Sequence, residues 1–167
     1  MELFFGQENM EIFGQLTLAL LLGTALGVER EIAKKKAGMR TFGLVSLGSC
    51  LFSIISVNAL KFIGGAEVIG AINFDPTRIA AQIVVGIGFL GAGIIIFDSS
   101  KLRGVTTAAG LWVAAAIGMA VGYKFYAVAT FTTFLVLIVF VALWIVEEAI
   151  VKNLSYRPSN QNDRFAE

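Results

Sequence analysis

Apolar residues fall into five blocks, 12–28, 41–62, 79–97, 105–122 and 125–146, separated by shorter polar stretches. Each block is close to the ~20 residues that carry a helix across a bilayer's hydrocarbon. Only Tyr123 and Lys124 part the fourth block from the fifth, which demands a tight turn. The pattern predicts an all-α, polytopic transmembrane bundle of five helices over 1–150, followed by a polar tail, 151–167, too short to fold alone.

Polar positions inside the blocks separate the helices. The third is preceded by Asp75-Pro76, an N-cap followed by proline at the first helical position, and carries Arg78, Gln82 and then Gly86, Gly88, Gly91 and Gly93. Asp75 and Arg78 are three residues apart and are expected to pair. Polar groups cannot be left unmatched in hydrocarbon, so this helix is expected to be shielded from lipid and central, with Arg78 and Gln82 as its polar site. The alternative for Arg78 is snorkelling to the headgroups.

The second helix has Ser46, Ser49, Ser53 and Ser56 along one face. Such a stripe either glues helices together or lines a hydrated path, and packing is the commoner use. The fourth helix repeats Gly110, Ala114, Gly118 and Gly122 at four-residue steps, a bare face expected to close against the glycines of the third. Gly23 and Gly27 give the first helix a similar seam, for a neighbour in the chain or a second copy. Thr106 and Thr107 offer hydroxyls to cap the fourth helix. The fifth is apolar all round, with Tyr123 and Tyr126 at one end and Trp144 at the other, and reads as peripheral.

Composition agrees with a membrane protein: 57% hydrophobic, 15% charged, mean hydropathy +0.81. Net charge is +1, which gives no case for nucleic acid, but its distribution is informative. Ten of the 13 basic residues fall in the loops after the first and third helices and in the tail, against Lys61, Arg78 and Lys124 elsewhere. The positive-inside rule then puts the N-terminus outside and the C-terminus in the cytoplasm. The first block has Glu2, Glu8 and Glu11 ahead of it and no basic residue, so it is read as a retained helix rather than a signal peptide.

Candidate chemistry is sparse. The chain has no histidine and one cysteine, Cys50, which removes the commonest general base, the commonest metal ligand and any internal disulfide. No hydrolase or metalloprotease motif is present, and Asp75 and Asp98 lie at opposite ends of one helix, so the chain is not expected to be an enzyme. Glu29, Arg30 and Glu31 close the first helix with three charges, either a stop to the span or a site. Asp75, with Glu67 or Asn73 near it, is a weak candidate for the outer mouth of a magnesium path, since that ion takes carboxylate oxygens and retained water.

Several stretches together resemble the membrane domain of the MgtC/SapB family: Gly27-Val28-Glu29-Arg30-Glu31, Ala37-Gly38-Met39-Arg40-Thr41, Asp75-Pro76-Thr77-Arg78-Ile79-Ala80-Ala81-Gln82, Gly86-Ile87-Gly88-Phe89-Leu90-Gly91-Ala92-Gly93, and Arg103-Gly104-Val105-Thr106-Thr107-Ala108-Ala109. They cover roughly residues 16 to 122. Val85, Gly110 and Ala114 stand where small hydroxylated residues are usual, and Met39 where Leu is usual. The resemblance implies a small multi-pass protein of the bacterial inner membrane, from a virulence-associated family, tied to magnesium homeostasis and lacking the cytoplasmic regulatory domain of many relatives. It implies membrane lipids and a membrane-protein partner or second copy as neighbours. The expected role is a non-enzymatic modulator of that partner; the alternative is a magnesium or other cation transporter. Glu29, Arg30, Arg40, Asp75, Arg78, Gln82, Thr106 and Thr107 are the implied functional positions.

Overall fold

The computed structural model describes residues 6–63, 75, 77–98 and 101–155. Its helices are α1 (Gln7–Ile32), α2 (Met39–Ile63), α3 (Thr77–Ile94), α4 (Val105–Gly122) and α5 (Tyr126–Ser155). All five anticipated helices are present, and α1 to α4 are each long and apolar enough to cross a membrane. α5 outruns its expected end at 146: its backbone stays helical through the first residues assigned to the tail. The loop between α3 and α4 is not irregular. It forms an antiparallel hairpin, β1 (Ile96–Asp98) with β2 (Lys101–Arg103), pairing Phe97 with Leu102. The expected outer mouth at Glu67 and Asn73 lies outside the described residues.

Helix ends have local causes. α1 stops in a turn where the Lys35 N–H donates to the Arg30 carbonyl and the Lys34 N–H to that of Glu31, with Lys34 left-handed at φ 53°. This is the reverse turn by which helices commonly satisfy their last carbonyls, usually with glycine at that position. The Glu31 carboxylate then accepts the Met39 N–H at 3.0 Å, capping the start of α2. α4 begins at Gly104, whose φ of 94° suits glycine alone and whose Cα lies against the Ile94 carbonyl. The N-cap position is Gly104, which has no side chain to cap α4, and the expected hydroxyls of Thr106 and Thr107 stand inside the first turn.

The centre of the bundle is α4, not α3. α4 touches all four other helices, and 50% of it is buried against 11% of α3. α1, α2 and α4 pack together around Ala19, Leu26, Phe42, Leu111, Ile117 and Val121, with α3 and α5 flanking. The bare face of α4 turns to α2 rather than α3. A Cβ on Gly118 would run into the Ser46 carbonyl, and one on Gly122 would stand 2.6 Å from Ser53 Cβ and 2.8 Å from the Cys50 carbonyl oxygen. Gly110 faces the ring tips of Phe42 and Phe140. Gly23 is pressed on the Phe42 carbonyl and Ser46 Cβ, and Gly27 on the Gly38–Met39 backbone, so their seam is used within the chain.

Candidate functional site

All four serines of the stripe are buried, and Ser46 and Ser53 lie in the α2–α4 contact against Gly118 and Gly122. Ser46 Oγ donates to the Ala19 carbonyl at 2.8 Å, tying α2 to α1, and Ser53 Oγ bonds back to the Ser49 carbonyl at 2.8 Å. With these two hydroxyls spent on backbone and the facing glycines in contact, this part of the face is an adhesive surface.

α3 departs most from expectation. Arg78 and Gln82 are both exposed, as are Gly86, Gly88 and Gly93. Among the described residues nothing lies within 4 Å of a Cβ built on any of those three glycines; Gly91 alone meets α4, at 3.6 Å from Ala108 Cβ. The shielding inferred for this helix is therefore not supplied by the described residues of the other helices. Asp75 does not clamp Arg78 either. Its carboxylate accepts the Thr77 N–H at 2.9 Å and the Thr77 hydroxyl at 2.6 Å, capping α3, and feels Arg78 only as a neighbouring charge. Between α2 and α3 runs an open groove of about 510 Å³, lined by Val45, Ser49, Phe52, Ile83 and Ile87, with Gln82 at its polar edge.

The bonds from Thr77 hold the Asp75 carboxyl below the usual carboxylate range. A carboxyl lowered on folding contributes stability that is complete above its unfolded value and lost as pH falls through the folded one. Asp75→Ala is therefore expected to fray the first turn of α3 at neutral pH. Amide exchange at residues 77–80 should quicken in the variant at pH 7, and the difference from the parent should vanish in strong acid. Unchanged protection at pH 7 would deny Asp75 its capping role.

At the opposite end of the bundle lies the Glu29–Arg30 pair. Arg30 is only 3% exposed, although it ends a span; its Nε meets Glu29 Oε2 and its guanidinium lies 3.7 Å over the Phe140 ring. Whether it stops the span or serves a site, Arg30 is thus a buried charge with two partners. Arg40 and Thr106 are exposed and Thr107 is buried, so the expected site residues on this side do not converge as a set.

Gln15 was not among the expected site residues. It is 3% exposed, and its Nε2 donates to the carbonyls of Val121 at 3.0 Å and Gly122 at 3.3 Å, satisfying the end of α4 from α1. A glutamine within the first turn of an apolar block was a sequence signal of a polar residue in a span, though not of its partner. Among the described residues, no three Asp, Glu, Cys or His side chains are grouped to hold a metal ion.

Comparison with known proteins places this architecture. Residues 16–149 match the model of the MgtC family. The chain is 38% identical over 154 residues to the Escherichia coli K12 protein named "Putative magnesium transporter YhiD", an alignment covering 91% of this chain and 66% of that one. It is 38% identical over 135 residues to an uncharacterized protein of Haemophilus influenzae (80% and 56%), and 44% identical over 104 residues to Protein MgtC of Brucella abortus (62% and 39%). The chain thus spans about two thirds or less of these relatives' lengths. No solved structure matches it. With a family match running from the first helix into the fifth, on a bundle of five helices, this chain belongs to the MgtC family.

Proposed function

We propose that the protein is a non-enzymatic component of magnesium homeostasis in the bacterial inner membrane, with its basic loops in the cytoplasm, and that it acts by docking to and modulating a membrane partner. The observation that carries this reading is the outer face of α3. A helix that presents Arg78, Gln82 and the bare Gly86 and Gly93 along one side, the two glycines with nothing within 4 Å of an added Cβ among the described residues, is costly to leave against acyl tails. A partner helix bearing a carboxylate and small residues would satisfy the guanidinium and the carboxamide and close on the glycines. The magnesium link is supported by the name of the Escherichia coli relative.

Crosslinking in native membranes at low and high magnesium, followed by purification of the chain, tests the proposal. A membrane protein should be recovered whose yield depends on magnesium and falls at least about tenfold for Gln82→Leu, the loss a couple of kcal/mol of contact would produce. Recovery of the chain alone at every magnesium level would defeat the reading. Transport of magnesium by the chain itself is the second reading, favoured by the same relative's name. It requires protein-dependent magnesium flux into vesicles holding the purified chain, and correctly inserted protein without flux would end it.

A further inference from the structure

A small hollow of about 220 Å³ opens where α1 begins and α2 and α4 end. Its polar lining is Glu8, Glu11, Gln15, Asn58, the Gly122 backbone and Lys124. Glu8, Glu11 and Gln15 stand three and four residues apart, so they share one face of α1. We infer that this hollow is a binding site for a partly hydrated divalent cation, held by Glu8 and Glu11 with the carboxamide oxygens of Gln15 and Asn58, and that the Lys124 ammonium is the built-in competitor for it.

The two carboxamides carry the case beyond a pair of acidic residues. Carbonyls only accept hydrogen bonds, so the contacts of Gln15 Nε2 with Val121 and Gly122 fix which end of the amide is which. Among the described residues its Oε1 has no donor, on a side chain that is 97% buried and lines the hollow. No sealed side-chain oxygen lacks a partner among the described residues, so this oxygen keeps some contact with solvent, on a residue that lines the hollow. Asn58 is arranged the same way: its Nδ2 donates to the Ile54 carbonyl at 2.9 Å, and Oδ1 is the free end. Both amides thus turn their nitrogen to backbone carbonyls and keep an oxygen over, which suits a cation. The carboxyl end of α4 adds its partial negative charge.

The hollow already attracts a cation. Lys124 Nζ lies 2.7 Å from Glu11 Oε1, and Lys124 takes a left-handed φ of 65° in the turn that ends α4, a position where glycine is usual. Both partners are more than 45% exposed, and such a pair is weak enough for a divalent ion to displace. The space suits a small ion that keeps several waters, each occupying about 30 Å³, as magnesium does when held by one or two carboxylates. Only the choice of magnesium as competitor rests on the proposed function; the oxygen set does not.

The test uses the full chain in uncharged detergent, which excludes lipid headgroups as the source of binding. Mn2+ is titrated with free ion followed by electron paramagnetic resonance, and bound ion is then displaced with Mg2+. One saturable site per chain is expected, weakened at least about tenfold in Glu8→Gln and Glu11→Gln. Lys124→Met should tighten binding by about tenfold, the effect of removing one competing charge and the opposite of what a purely structural ion pair would do. Equal thermal unfolding of the variants in metal-free buffer would show that folding is intact. The inference is overturned by no saturable Mn2+ uptake below about 10 mM, above the range of weak external sites. It is equally overturned by binding indifferent to both glutamates, or by weakening in Lys124→Met. Binding that persists when crosslinking finds no partner and vesicles show no flux would leave this site standing and remove the proposed function alone.

Discussion

Gly118→Val is expected to prevent the bundle from assembling, with loss of stability of at least about 3 kcal/mol, the upper end of the usual cost of overpacking. The atom in the way is the Ser46 carbonyl oxygen, part of α2's own backbone, which no rotamer change can move. The only relief is to part α2 from α4, which would expose the serine stripe and break the contact between the two most buried helices. Alanine at successive glycines should then give a graded series. Gly118→Ala is worst, because backbone blocks it; Gly122→Ala follows, facing the Cys50 carbonyl and Ser53 Cβ. Gly110→Ala is milder, since the tips of two phenylalanine rings can swing aside. Gly88→Ala should be neutral within about 0.5 kcal/mol, as a surface change is. Unfolding from mild detergent into sodium dodecyl sulfate, followed by circular dichroism, orders the series. Equal effects at Gly88 and Gly118 would refute the placement of α4.

That contrast also measures what could be read from the sequence. The helices were legible because hydrocarbon forces each span to satisfy its own backbone over a fixed length, so apolar blocks of about 20 residues become helices whatever their neighbours are. Which helix is central depends instead on how glycines are distributed around it. Gly110, Ala114, Gly118 and Gly122 recur every four residues and so share a face; Gly86 and Gly88 differ by two and point to opposite sides. Glycine density marked α3, while glycine spacing already favoured α4. Arg30 and Gln15 were hidden for another reason: Phe140 and the Val121–Gly122 carbonyls, which bury them, lie on helices distant in sequence, and nothing local announces the contact. The exposure of Arg78 and Gln82 followed the same logic in reverse. Their residue types call for partners, yet both stand exposed among the described residues.

Arg30→Ala is expected to cost about 3 kcal/mol, the low end for removing one partner of a buried ion pair, because the Glu29 side chain keeps 18% of its surface in contact with solvent. Three losses combine. Glu29 remains, partly buried and without its cation; the Phe140 ring loses the guanidinium stacked on it; and a void opens between α1 and α5. Arg30→Lys separates the first from the others, since it keeps the charge but not the planar group, and should cost about 1 kcal/mol, the size of a partly desolvated cation–π contact. A double-mutant cycle of Arg30→Ala with Phe140→Leu should return a coupling of about 1 kcal/mol, and zero coupling would dismiss the ring contact. The joint replacement Glu29→Gln with Arg30→Met should be milder than Arg30→Ala alone, since no charge is then left without its partner. If the double replacement proved as damaging as the single one, the pair would be holding α1 to α5 through shape rather than charge, and a methionine stem would not restore the fit. Either outcome is read from the same detergent unfolding curve, and the milder double variant is the expected one because Arg30 owes its burial to Glu29 and Phe140 together.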